Sequence, residues 1–197
     1  MSLVIVRKIQ KGKWEDYCKD LKAKGWLKRM RETLTPNASA DAITNCLKTT
    51  RNELSIWIVE EDHISDALLA MATGPDINDI GTIDYILFKP EEFKKEGLFY
   101  KESPSDANTA VPSLKQYHYD IKDLNYRKLG KIQKLIVKKL IAEGSIRKTR
   151  GELYKIVEQA IDDSRIDYSS LSEQFLEKLR VKFPQKDIPK QHLVINI

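Results

Sequence analysis

The chain has 197 residues, of which 41% are hydrophobic and 32% are charged, and its formal net charge is +5. This composition is too apolar for an intrinsically disordered chain and too polar for a membrane protein, so we expect a globular protein with a sizeable core. The two cysteines, Cys18 and Cys46, lack the spacing of a metal cage or a disulfide framework, and the apolar run from Leu3 to Val6 is too short for a signal peptide. We therefore expect a cytoplasmic location.

Residues 1–102 predict a mixed α/β portion in which about three strands alternate with helices. Clusters of β-branched and aromatic residues indicate the strands, at residues 3–9, 54–59 and 82–88. Apolar residues three and four apart, or capping residues, indicate the helices: residues 13–33, a helix capped by Ser39, residues 67–73, and a short helix that begins at Pro90.

Residues 103–113 are polar, contain prolines and have no hydrophobic period, which predicts a linker or a long loop. Residues 114–197 then predict a mainly helical portion with three helices and a short terminal strand, at 124–142, 149–161, 171–183 and 192–197. The second of these helices has the clearest start, because Thr149 and Glu152 have the spacing of a capping box. The fold class is therefore α+β, either as two portions or as one continuous domain.

The charges are segregated along the chain. Residues 1–31 carry +7, residues 32–121 carry −9, residues 122–150 carry +8 and the remainder carries −1. Two explanations stay open, because the basic and acidic regions can dock on one another, within the fold or across an oligomer, or the basic faces can bind a polyanion.

The predicted helix at 124–142 carries a basic stripe, formed by Arg127, Lys131, Lys134 and Lys138. Their spacing of i, i+4, i+7 and i+11 places them on the side opposite the apolar residues, in a row about 16 Å long. Downstream, Arg147, Lys148 and Arg150 lie at the entrance of a helix that would be the second helix of a helix-turn-helix. These seven residues are the candidate contacts to a nucleic acid or to another partner.

An enzyme is the alternative, and it has one sequence pattern in its favour. Asp76 with Glu92 and Lys94 has the PD…(D/E)xK spacing of metal-dependent nucleases, in which two carboxylates hold a divalent metal. However, Pro90 before Glu92 and Gly97 after it are typical of the start and the end of a short helix, not of a core strand. His118, with Asp120 two residues away, is the other group considered for acid–base chemistry, and a structural histidine is the favoured interpretation. No metal site and no cofactor are predicted.

The sequence thus favours a non-catalytic cytosolic accessory or adaptor protein. Its basic helix would bind a protein partner or a second copy of the chain, with nucleic acid as the second class of partner, and no membrane is involved. The alternative is a metal-dependent nuclease, or another enzyme whose catalytic residues are scattered in sequence.

Overall fold

The computed structural model describes residues 2–14, 18 and 46–190, which contain six strands and five α-helices. The strands, in chain order β1 to β6, are Leu3–Ile9, Leu54–Glu60, Ile83–Phe88, Tyr100–Glu102, His118–Ile121 and Ile146–Lys148. The helices, in chain order α1 to α5, are Ile64–Ala72, Pro90–Lys95, Tyr126–Ala142, Arg150–Asp162 and Glu173–Lys182.

All six strands join one sheet in the order β4-β5-β2-β1-β3-β6, and every neighbouring pair is antiparallel. The long strands β1, β2 and β3 occupy the centre, where Val6 lies opposite Trp57 on one side and Leu87 on the other. The three-residue strands β4 and β6 form the two edges. Short edge strands leave few unpaired backbone groups for another chain to pair with.

Both faces of the sheet are covered, because alternate side chains of each central strand enter different cores. The α1 core takes Val4 and Val6 from β1 and packs them against α1, α4 and α5. The α3 core takes Ile5 and Ile9 from the same strand and packs them against α3 and against Phe93 of α2. The molecule therefore has helices on both faces of an antiparallel sheet.

The predicted α+β class is confirmed, whereas the predicted layout, with about three strands in residues 1–102 and one short terminal strand, is not, because the sheet has six strands. Strands β4, β5 and β6 have three, four and three residues. Segments so short show no alternation of their own, and they become strands because they pair with β2, β3 and one another. Two of them lie in the portion from which only helices and a terminal strand were expected.

Residues 103–113, the predicted linker or long loop, connect β4 to β5 and pack against α1. Ala110 and Val111 are fully buried in the α1 core. The N–H of Ala110 donates to the carbonyl of Thr73 at 2.8 Å, and its carbonyl accepts from the N–H of Asp167 at 2.7 Å. Hydrogen bonds therefore connect this segment to the end of α1, which precedes it in the chain, and to the loop after α4, which follows it.

Three predicted elements lie outside the described residues, wholly or in large part: the helix at 13–33, the helix capped by Ser39 and the strand at 192–197. The other predicted helices are present, and none of their predicted ends is shifted by more than three residues. In the part of the chain that the structure describes, no helix combines the length and the apolar character needed to cross a membrane.

Candidate nucleic-acid interface

Helix α3 begins and ends at identifiable caps. The side chain of Asn125 accepts a hydrogen bond from the N–H of Lys128 at 3.0 Å, which satisfies one of the free N–H groups of the first turn. At the other end Gly144 has a φ of +79°, and its N–H donates to the carbonyls of Leu140 and Lys139. Between these caps the helix buries Ile132, together with other apolar residues, in the α3 core. This fixed orientation holds the opposite side of the helix toward solvent.

The structure places the four stripe residues together on that opposite side. Arg127 and Lys138 are exposed, and Lys131 and Lys134 are partly exposed. The Nζ of Lys131 donates to the carbonyl oxygen of Glu96 at 2.5 Å, where α2 ends. Within residues 2–14, 18 and 46–190, Arg127, Lys134 and Lys138 form no side-chain hydrogen bond or ion pair. Three of the four charges are thus uncompensated within that part of the chain.

The other three candidate residues have acidic partners. Arg147 donates two hydrogen bonds to Asp84, at 2.8 and 2.9 Å. Arg150 binds both carboxylate oxygens of Asp79, at 2.7 and 2.9 Å. A third pair joins Lys148 to Glu152 at 3.3 Å. These residues stabilise the junctions of β6 and α4 with the rest of the fold, so they offer less charge to a partner than the stripe does.

These ion pairs also account for part of the charge segregation. Asp79 and Asp84 belong to the acidic segment 32–121, whereas Arg147 and Arg150 belong to the basic segment 122–150. In the same way, the ammonium of Lys122, from the basic segment, lies 2.7 Å from the carboxylate of Glu53, from the acidic segment. Among the described residues of the basic segment 122–150, internal docking therefore takes up Arg147, Arg150 and Lys122 and leaves the α3 stripe.

Two exposed aromatic residues, one at the start of α3 and one just before β4, were not singled out from the sequence. Tyr126, the first residue of α3, is 95% exposed, and Phe99, just before β4, is 71% exposed. Tyr126 follows Asn125, whereas Phe99 lies between Leu98 and Tyr100. Neither setting shows in the sequence that the ring is exposed, because an aromatic side chain is more often buried in a core.

The residues of the nuclease pattern lie on opposite faces of the sheet. Asp76 accepts a hydrogen bond from Asn108 at 3.0 Å, and its neighbour Ile77 packs on the α1 core. Glu92 accepts from the N–H of Lys89 at 2.8 Å, and its neighbour Phe93 lies in the α3 core. Two carboxylates separated by the sheet do not converge on a common ion.

A different acidic cluster is formed by Glu53, Asp106 and Asp120, whose oxygens lie within 4.8 Å of one another. The ammonium of Lys122 already lies 2.7 Å from Glu53 and 3.5 Å from Asp120, and the guanidinium of Arg51 lies 3.5 Å from Asp106. These cations supply the positive charge that a metal ion would bring.

The same cluster borders a polar cavity of about 310 Å³ that also contains Arg7. The guanidinium of Arg7 donates to the carbonyls of Ser55 and Cys46, each at 2.5 Å, and in the described part of the chain its Nε has no partner. Burial lowers the pKa of Arg7 to about 10, which leaves it protonated at pH 7. Arg7 thus connects β1 to Ser55 of β2 and to Cys46, which precedes β2.

His118 is held as a structural residue. It is buried, its Nδ1 lies 2.8 Å from the carbonyl oxygen of Ser103, and its ring packs edge-on against Trp57 with ring centroids 5.1 Å apart. Asp120 instead accepts a hydrogen bond from the hydroxyl of Ser55 at 3.0 Å.

Comparisons of the chain with models of protein families, with curated proteins and with solved structures found no match. The interpretation of the α3 surface therefore rests on its own geometry. That surface is a straight row of cations on a rigid helix, and such a row can bind a chain of regularly spaced negative charges.

Proposed function

We propose that this chain is a non-catalytic accessory protein that binds nucleic acid through the basic stripe of α3. The observation that carries the proposal is the contrast between the stripe and the other candidate residues. Arg147, Lys148 and Arg150 have acidic partners, whereas Arg127, Lys134 and Lys138 have none among the described residues.

Uncompensated like charges three and four residues apart destabilise a helix by a few tenths of a kcal/mol per pair. The burial of Ile132, Leu135 and Ile136 outweighs that penalty, so the helix folds even where stripe charges have no partner among the described residues. An anionic ligand would remove the repulsion. A nucleic-acid backbone suits the stripe because both present charges at regular intervals along a line.

The proposal is tested by the salt dependence of binding to a labelled oligonucleotide of about 16 nucleotides, measured by fluorescence anisotropy. The variant carries Arg127→Gln, Lys134→Gln and Lys138→Gln. It removes about three phosphate contacts, so the slope of log K against log salt should fall by about 2 to 3 units. In the wild type the same contacts account for about a 20- to 40-fold loss of affinity between roughly 50 and 200 mM salt.

A matched control carries Lys115→Gln, Lys155→Gln and Lys178→Gln. These three lysines are exposed, and they lie on segments that pack on the opposite face of the sheet. The control has the same change in net charge and should bind as the wild type does. Equal losses of affinity in the two variants would show that only overall charge matters. An unchanged salt slope in the Arg127/Lys134/Lys138 variant would show that the stripe is not part of the binding site.

A further inference from the structure

The polar cavity beside Arg7 begins where strands β1 and β2 stop pairing. The last paired residues are Val6 and Trp57, and the next residue of β1, Arg7, lines the cavity. Its volume of about 310 Å³ is at the lower end of the range for small-molecule sites, about 300 to 1,000 Å³. Six of the lining residues are charged: Arg7, Lys48 and Arg51 are cationic, and Glu53, Asp106 and Asp120 are anionic.

Arg7 is a cation whose hydrogen-bond acceptors are both uncharged. Its guanidinium has five N–H groups, of which two donate to the carbonyls of Ser55 and Cys46. Among the described residues, no carboxylate forms an ion pair with it. Removing a cation from water is costly unless an opposite charge lies close to it. Arg7 therefore brings to the cavity a positive charge and further N–H donors, one on each Nη.

The three carboxylates of the cavity wall are engaged by other groups. The ammonium of Lys122 lies 2.7 Å from Glu53 and 3.5 Å from Asp120. Asp106 accepts a hydrogen bond from the hydroxyl of Ser103 at 2.8 Å. When Lys122 is counted with the lining residues, four cations face three carboxylates. Within the described part of the chain, the cavity thus lacks one negative charge for neutrality.

Lys48 and Arg51 are the cations that a ligand reaches most easily. Lys48 is exposed and forms no side-chain hydrogen bond or ion pair with the described residues. Arg51 is 72% exposed, and its contact of 3.5 Å with the half-exposed Asp106 is of a kind that contributes little to stability. A tight turn closed by Thr50 and Glu53 holds Arg51 at a φ of +54°, a conformation that a residue other than glycine adopts at a cost.

We propose that this cavity binds a small oxyanion, a phosphate or carboxylate group, through Arg7, Lys48 and Arg51. The planar guanidinium matches the spacing of the oxygens in both groups, and one negative charge neutralises the cavity. The inference goes beyond the proposed function and does not depend on it, because none of these residues belongs to α3.

The test is a titration of inorganic phosphate, and separately of acetate, into ¹⁵N-labelled protein at constant pH and ionic strength. Saturable changes in the backbone amide shifts of residue 7 and residues 48–55 are expected with phosphate, with acetate or with both. The probe that saturates identifies the group that the cavity prefers. If neither probe gives a saturable change at these residues, the proposal is wrong.

A double variant, Lys48→Gln with Arg51→Asn, tests which groups hold the anion. Asparagine tolerates a positive φ, so the turn keeps its shape while the charge is removed. The affinity for the saturating probe should fall by about 10-fold or more, because hydrogen bonds to charged groups contribute about that factor each. An affinity equal to that of the wild type would place the anion elsewhere and overturn the proposal.

Two controls separate this site from a general effect of charge. Lys155→Gln with Lys178→Gln changes the net charge by the same amount at two exposed positions outside the cavity, and it should bind the probe as the wild type does. The Arg127/Lys134/Lys138 variant should also keep the affinity. A loss in that variant equal to the loss in the cavity variant would mean that the anion has no specific site in the cavity.

Discussion

Ile136 and Lys138 lie two residues apart on α3 and differ completely in their surroundings. Ile136 is fully buried in the α3 core, and Lys138 is exposed on the stripe. The period of 3.6 residues per turn separates them by about 200° around the helix axis. A substitution of Ile136 therefore tests packing, and a substitution of Lys138 tests binding.

Ile136→Ala should lower the free energy of unfolding by about 2 to 4 kcal/mol, because it removes buried methyl and methylene groups and leaves a cavity. Urea denaturation measures this change. Val181→Ala is the control, since that side chain is 83% exposed and its loss should change stability by less than about 0.5 kcal/mol. A similarly small effect at Ile136 would mean that the packed face of α3 is assigned wrongly.

Glu152 makes the stability depend on pH. The N–H and hydroxyl of Thr149, together with the ammonium of Lys148, lower the pKa of Glu152 from 4.5 to about 2. A carboxylate whose pKa is lower in the folded state stabilises the fold above its unfolded pKa, and this contribution is lost as the pH falls through the folded pKa. The difference in Tm between the wild type and Glu152→Gln should therefore be full at pH 7 and should shrink between about pH 4.5 and pH 2. A constant difference across that range would contradict the capping-box geometry.

At the scale of elements, two glycines at α3 have opposite roles. Gly130 lies inside the helix with no atom within 4 Å of a Cβ placed on it, and Gly144 lies just beyond the helix with a φ of +79°. Gly130→Ala should stabilise the protein by about 0.5 to 1 kcal/mol, because alanine loses less entropy in a helix. Gly144→Ala should destabilise it by about 1 to 2 kcal/mol, because a Cβ is strained at that φ. Thermal unfolding of the two variants checks the signs, and a shift of the same sign in both would refute this assignment.

Elements with a strong local signal could be predicted from the sequence. Strand β1 and the helices α3 and α4 were predicted closely, because each has a clear period or caps of its own, such as Thr149 with Glu152. Strand β5 was missed because its four residues take their strand conformation from pairing with β2 and β4, which is not visible in the local sequence.

The same limit applies to the candidate site. The stripe was visible because all its residues lie on one helix. The exposure of Phe99 was missed because its orientation depends on the pairing of its backbone with Lys122, 23 positions along the chain. The partners of Arg147 and Arg150 were missed for the same reason, since Asp84 and Asp79 are brought to them by β3 and the loop before it.

At the scale of the whole molecule, both predicted portions contribute to one sheet. Strand β5 lies between β4 and β2, and β6 covers the free side of β3. Residues 103–197 also supply α3, α4 and α5, which cover the two faces of the sheet. We therefore expect residues 1–102 alone to show no cooperative unfolding transition in urea. A cooperative transition in that fragment would instead support two independently folding portions.

We propose the α3 surface as the site where nucleic acid binds. Titration of a single-stranded oligonucleotide of about 16 nucleotides into ¹⁵N-labelled protein, followed by the chemical shifts of its backbone amides, locates the contact residue by residue. Binding at the stripe predicts that the largest changes fall at residues 126–138. Changes centred on the opposite face, around Lys155 of α4 and Lys178 of α5, would contradict it.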